Sequence, residues 1–239
     1  MDKLASHIID AHGGLARWRQ FESLTADLEQ GGALWGLKGQ AGVLDTTSVT
    51  VDLKLEHAAH SPFGSPERKS SFTPDRVELI DAASGATETL DAPRASFAGH
   101  TLETPWNELQ LAYFAGCAMW TYLNMPFLLA WDGVETQELD PWQEGSETWR
   151  RLRVRFPDTI ATHSTEQTLY AGSDGLLRRH DYDVEIAGGT PGAHLIAAYV
   201  TVEGIAFPTR RRIYPRQPDG QPMAEPLVVS IDLANIRLS

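Results

Sequence analysis

The chain has 239 residues, 42% of them hydrophobic, and a formal net charge of -12. So acidic a protein offers no basic footprint for nucleic acid or for an anionic membrane surface. A lone cysteine, Cys117, excludes an internal disulfide and a cysteine zinc site.

Residues Lys3 to Ala11 read as a short helix, with Asp2 as N-cap and Leu4, Ile8 and Ala11 on one face. Gly13 and Gly14 end it, and Leu15 to Arg19 allow one more turn. The opening MDKLASHIIDAHGG has no basic start, long apolar stretch or cleavage site, so a chain native from Met1 is expected in the cytoplasm. From Ser23 the period changes to two, with Leu24, Ala26 and Leu28 alternating with Thr25, Asp27 and Glu29. The clearest strand is Ser48 to His57, where Val49, Val51, Leu53 and Leu55 face one way. One buried and one wet face is an antiparallel habit. Further strands are expected at Ala33 to Lys38, Glu67 to Phe72, Arg76 to Asp81 and Glu88 to Leu90. Turn signals at Thr73-Pro74-Asp75 and Ala83-Ser84-Gly85 separate them.

From Leu109 to Trp131 no residue is charged. The run approaches the ~20 residues that cross a bilayer, but Gln110, Thr121 and Asn124 dilute it and Pro126 cuts it. No Lys or Arg flanks it, as a spanning helix would require. It reads instead as a helix that must be buried on all sides, starting near Thr104-Pro105 and breaking before Pro126. Strands then resume at Trp149 to Phe156, Thr165 to Ala171, Leu176 to Ile186, Leu195 to Glu203, Ile205 to Tyr214 and Leu227 to Arg237. Ser173-Asp174-Gly175 is a hairpin signal, Gly188 to Gly192 a turn, and Pro215 to Pro226 a proline-rich loop. The fold class is therefore α+β, mostly antiparallel β, in one domain over 1–239.

Several of these residues carry a family likeness. Ala11 to Trp18 reads AHGG-x-x-x-W, a strand ends at Leu169-Tyr170, and Asp174-Gly175-Leu176 turns into a strand with Arg178 to Tyr182. Gly204 then precedes Phe207-Pro208-Thr209 and basic residues. The series resembles the LolA/LolB-like lipoprotein-carrier superfamily. The resemblance implies an incomplete, half-open β-barrel curved around an internal helical lid, with an apolar cavity between them. The lipid-handling arginine and protruding loop of those carriers match no position here, so only the cavity is carried over, not lipoprotein transport.

Side chains for such a cavity come from the aromatic-rich helix and its exit. Trp120 and Phe127 are the first candidates, with Met119 and Met125 as adaptable neighbours. Trp106, Phe114 and Tyr182 complete the set. Taken singly, each reads more readily as plain core; only the set as a whole reads as well for a cavity. His57 and His60 form H-x-x-H, but on a strand they face apart, so no metal site is read. No serine sits in a G-x-S-x-G elbow, and the paired glycines precede no helix. Arg151, Arg153 and Arg155 line a solvent face. No catalytic residue and no cofactor is assigned.

The expected function is non-enzymatic binding or carrying of an apolar or amphipathic, lipid-like small molecule, without nucleic acid and without membrane insertion. The first alternative is an enzyme using the same cavity, for which His180, Tyr182 and His100 would have to turn inward. The second is an interaction module with a fully packed core.

Overall fold

A computed structural model describes residues 2–239. In chain order it contains α1 (Lys3–Ala11), α2 (Leu15–Trp18), β1 (Ser23–Gly31), α3 (Ala33–Leu37), β2 (Thr46–Asp52), β3 (Ala58–Ser61), β4 (Arg68–Thr73), β5 (Arg76–Asp81) and β6 (Thr87–Asp91). The buried helix α4 (Glu108–Asn124) follows, then β7 (Glu135–Glu144), β8 (Glu147–Arg155), β9 (Glu166–Ala171), β10 (Leu177–Val184), β11 (Thr190–Val202), β12 (Ile205–Pro215) and β13 (Val229–Leu238).

The strands form one 13-stranded sheet in the order β6-β5-β4-β3-β2-β1-β13-β12-β11-β10-β9-β8-β7. Every neighbouring pair is antiparallel. The first and last strands meet in the middle, with Leu24 opposite Leu238 and Leu28 opposite Leu233. The chain thus builds two meanders, β1–β6 and β7–β13, and sews them together at its ends. Strands β6 and β7 are the unpaired edges, so the sheet is an open half-barrel.

Helix α4 fills the concavity. From Gln110 to Asn124 every residue is buried. Two of its polar side chains donate back along the helix: Thr121 Oγ1 to the Cys117 carbonyl at 2.8 Å, and Asn124 Nδ2 to that of Trp120 at 3.0 Å. Asn107 starts it with a reciprocal cap. Its side chain accepts from the Gln110 amide at 2.8 Å, while the Gln110 side chain accepts from the Asn107 amide at 3.1 Å. The start therefore lies at Glu108 rather than near Thr104-Pro105, because Asn107 and Gln110 make the better box. Among the described residues no helix is long and apolar enough to cross a membrane.

Several sequence expectations change. Ala33 to Lys38 is not a strand but helix α3. Adjacent Leu34 and Trp35 are both buried, which one face of a strand does not allow. The chain leaves the sheet at Gly32, whose φ is +112° and where a Cβ would stand 2.4 Å from the Val228 carbonyl oxygen. The strand expected to run to His57 ends at Asp52. There a carboxylate oxygen accepts from the Lys54 and Leu55 amides at 2.7 and 2.8 Å and turns the chain, and a separate β3 follows. The turn at Gly188 to Gly192 is shorter than expected, because β11 already begins at Thr190. Strand β7 has no counterpart in the sequence reading, since as an edge strand it buries no residue fully and shows no apolar alternation.

Two consequences of the packing are measurable. A Cβ on Gly116 would lie 2.4 and 2.5 Å from Phe72 Cβ and Cγ on β4. Gly116→Ala therefore wedges α4 off the sheet; the overpacking costs about 1–3 kcal/mol and outweighs a helix-propensity gain of at most ~1 kcal/mol. The urea midpoint should fall, and a rise would show that the helix has slack there. Cys117 is 1% exposed with its Sγ 3.4 Å from the Ala161 carbonyl oxygen, and burial raises its thiol well above the ordinary range. Native protein should react with a thiol reagent only as it unfolds; labelling at a free-thiol rate would contradict the packing.

Candidate functional site

One face of α4 leaves open space between itself and the sheet. Phe114, Ala115, Ala118, Met119 and Tyr122 form a stripe at i, i+1, i+4, i+5 and i+8, a single helical face. Opposite it stand Tyr182 and Val184 of β10, Gly192 of β11, Ile213 of β12, and Val229 and Ile231 of β13. Between them lies a chamber of about 170 Å³ that no charged residue lines. An engineered apolar cavity of about 150 Å³ stays dry and takes up benzene, so the space has ligand-binding size. Small side chains on the stripe, Ala115 and Ala118, leave it open.

The mouth is built by α3 and the loop before α4. Leu34, Leu37, Leu102 and Trp106 line it, and Leu37 is 43% exposed. Lys38 holds these pieces together. Its buried ammonium donates to the carbonyls of Thr101, Leu102 and Thr104 at 3.1, 2.6 and 3.1 Å, and lies 4.6 Å from the Trp106 ring centroid. Desolvation lowers the Lys38 pKa, while nearby Glu103 raises it in part. Pro226, from the proline-rich loop, stands exposed on the other side.

Trp106, Phe114, Met119 and Tyr182 lie on this chamber. Trp120, Met125 and Phe127 do not. Trp120 sits about half a turn round α4 from the lining stripe, and its indole N–H donates to the Asp52 and Leu55 carbonyls, each at 2.9 Å. Phe127 stacks on Trp18, centroids 4.2 Å apart and 11° from parallel. Met125 follows α4 directly and is buried away from the chamber. His100 packs on the edge of Phe97 and does not reach the chamber, whereas His180 is turned inward.

The inner end of the chamber is polar; the sequence reading pointed to Tyr182 and His180 there but not to His163, His194 or Arg211. The Tyr122 and Tyr182 hydroxyls are 2.6 Å apart. Around the two rings pack His163, 4.1 Å from Tyr182, and His194, 4.6 Å from Tyr122, centroid to centroid. His180 is 5.2 Å from Tyr182 and hydrogen-bonds the Gln167 side chain. The buried guanidinium of Arg211 lies 5.2 Å from the Tyr122 centroid and donates through Nη2 to the Tyr122 carbonyl at 3.1 Å. One signal for Arg211 was present in the sequence: it stands in the inward register of Ile205, Phe207 and Ile213. Burial lowers the His163 pKa to about 3 and pushes those of His180 and His194 well below the ordinary range, so all three imidazoles are neutral at pH 7. The same burial raises both tyrosine hydroxyls, which stay protonated.

No protein-family model matches the sequence, and no curated protein is similar to it at a significant level. Solved structures are. A DUF1329 family protein from Desulfovibrio piger is similar at a TM-score of 0.57 and 12% identity, over 100% of this chain and 94% of that one. A LolA superfamily protein from Nitrosomonas europaea gives 0.53 and 12%, over 98% and 93%. A Vibrio parahaemolyticus domain described as outer membrane lipoprotein-sorting gives 0.52 and 10%, over 95% and 93%. At such identities the likeness concerns the fold, which is LolA-like.

The buried imidazoles set the pH dependence of stability. His12 and His60 are held to about 4 by burial, and His163 to about 3. The unfolded chain binds these protons near pH 6.5. Between about pH 6.5 and 4 it therefore carries more protons than the folded chain, and stability falls as pH falls. Glu56 acts in the opposite sense: burial raises it to about 8 from 4.5, so stability declines as pH rises through that window. With several histidines against one carboxyl, the urea midpoint should peak near pH 6.5 and drop steeply towards pH 4. A flat profile on the acid side would show that the imidazoles are hydrated.

Proposed function

We propose that this LolA-like half-barrel binds and carries an apolar or amphipathic, lipid-like small molecule in the chamber between α4 and strands β10–β13. The observation that carries this reading is the chamber itself. A helix buried on every side leaves one stripe facing open space, lined almost wholly by carbon and without any charged group. Space of that kind favours an apolar body, since removing apolar surface from water yields about 25 cal/mol per Å² and a lining without charge offers nothing to a uniformly polar one. Leu37, Leu102 and Trp106 at the mouth give such a molecule an apolar way in. Two of the similar folds are described as a LolA superfamily protein and as a lipoprotein-sorting domain, which supports a lipid-like cargo.

The test is to fill the chamber without touching the rest of the core. Ala118 sits mid-stripe on α4, facing the opening. Ala118→Trp should lower the affinity for a polarity-sensitive hydrophobic dye by about tenfold or more, with circular dichroism unchanged. Native mass spectrometry of protein from its own source should show a retained lipid-sized adduct in the wild type that the variant lacks. If the wild type binds no apolar probe and carries no adduct, the binding reading fails.

A further inference from the structure

At the inner end of the chamber several N–H and O–H donors gather without partners around one buried cation. Two tyrosine hydroxyls share one hydrogen bond, so one of their two hydrogens has no partner. Both ring nitrogens of His163 and of His194 lack partners, and a neutral imidazole always carries an N–H. Arg211 Nε is also unpartnered. Buried polar groups are normally hydrogen-bonded, and the lining pair Tyr122 and Tyr182, with the orphaned His163, His194 and Arg211 packed against their rings, marks the place of a missing partner.

Charge points the same way. Arg211 is 3% exposed, and among the described residues no carboxylate bridges it. The other fully buried arginine, Arg179 on β10, shows how this chain ordinarily handles such a charge: its guanidinium is paired with Asp181 at 2.6 Å. The walls of the chamber, from Trp106 to Ile231, offer Arg211 no counter-charge either.

We propose that the Tyr122–Tyr182 hydroxyl pair, with Arg211, His163 and His194 behind it, is the recognition site for the carboxylate head of a single-chain acid whose hydrocarbon tail lies along the α4 stripe. This rests on the binding reading above and adds the head group. A carboxylate accepts through both oxygens, which suits the spare tyrosine hydrogen and the unpartnered N–H groups behind it. It brings one negative charge to one buried cation. A phosphate monoester brings nearly two at neutral pH, leaving one uncompensated in a site closed to water. An alcohol or ester brings none and leaves Arg211 as it is.

The experiment uses the delipidated full-length chain and four probes with the same tail: dodecanoate, methyl dodecanoate, 1-dodecanol and dodecyl phosphate. Calorimetry or dye displacement near neutral pH should rank dodecanoate about tenfold or more tighter than each of the others, because hydrogen bonds to a charged group are the strong ones. Tyr122→Phe combined with Tyr182→Phe removes both hydroxyls and keeps the rings. It should erase the difference in affinity between dodecanoate and its methyl ester measured on the same variant. If the double variant melts early, Tyr182→Phe alone is read the same way. Equal binding of acid, ester and alcohol to the wild type overturns the head-group assignment and leaves the chamber reading standing. Tighter binding of dodecyl phosphate than of dodecanoate overturns the carboxylate. An acid preference that survives loss of both hydroxyls places the head elsewhere. If none of the four binds, the chamber reading fails as well.

Discussion

Everything in this molecule answers to one requirement: α4 has no face that can meet water. A helix apolar all round must be enclosed, and a flat sheet covers only one side. The sheet therefore curves, and it does so as a single 13-stranded surface whose two meanders are joined by the pairing of β1 with β13. The side facing β2–β5 is packed to contact, with Gly116 against Phe72 and Trp120 hydrogen-bonded to the end of β2. The side facing β10–β13 is not. The chamber is what remains when a helix is pressed against one half of a half-barrel and the other half cannot follow.

The polar cluster beyond the chamber is costly to fold. Neutral imidazoles with unpartnered nitrogens and a guanidinium without a carboxylate each carry a desolvation penalty, about 1–3 kcal/mol for an unpaired neutral group and more for a charge. The core offers no packing reason for polar side chains at His163, His194 and Arg211; apolar residues of similar volume would fill the same positions more cheaply. Sites that violate the ordinary rules of burial are commonly sites of function. On the outer face of the same strands the buried charge is paired. There Arg179 is bonded to Asp181, stacked near Tyr170 and Trp142, and tied to the Gly220 carbonyl of the proline-rich loop. That loop returns to the chamber at Pro226, so the outer ion pair helps fix one lip of the mouth.

The other lip depends on Lys38. A buried ammonium held by backbone carbonyls and an aromatic face is an unusual staple for a loop. It makes α3 and the segment before α4 one unit, with Trp106 fixed by its own amide bonding the Lys38 carbonyl at 3.0 Å. The opening is thereby defined by short local elements on a rigid sheet, an arrangement that lets binding residues vary while the scaffold stays put.

Local sequence determined the parts whose signal is local. Asp2 capping α1, alternating strands such as β1, β2 and β8, the charge-free helix and its stop before Pro126 follow from propensity, alternation and turn chemistry. Strand β7 escaped because an edge strand needs no apolar face, and α3 was misread because in five residues the two periods cannot be told apart. The chamber is of another kind. In α4 apolar residues stand on every side, so no periodicity says which side meets the sheet and which meets space. Tertiary contacts set the rotation, among them Gly116 on Phe72 and the Trp120 indole on the Asp52 and Leu55 carbonyls, and that rotation sends Met119 to the chamber and Trp120 away from it. Tyr122, Tyr182, His163, His194 and Arg211 lie far apart in sequence, and on single strands or turns each looks ordinary. They become a site only when the curved sheet folds their strands over the end of the helix, because a long-range meeting of side chains is set by the register and curvature of the sheet and leaves no mark on any one segment.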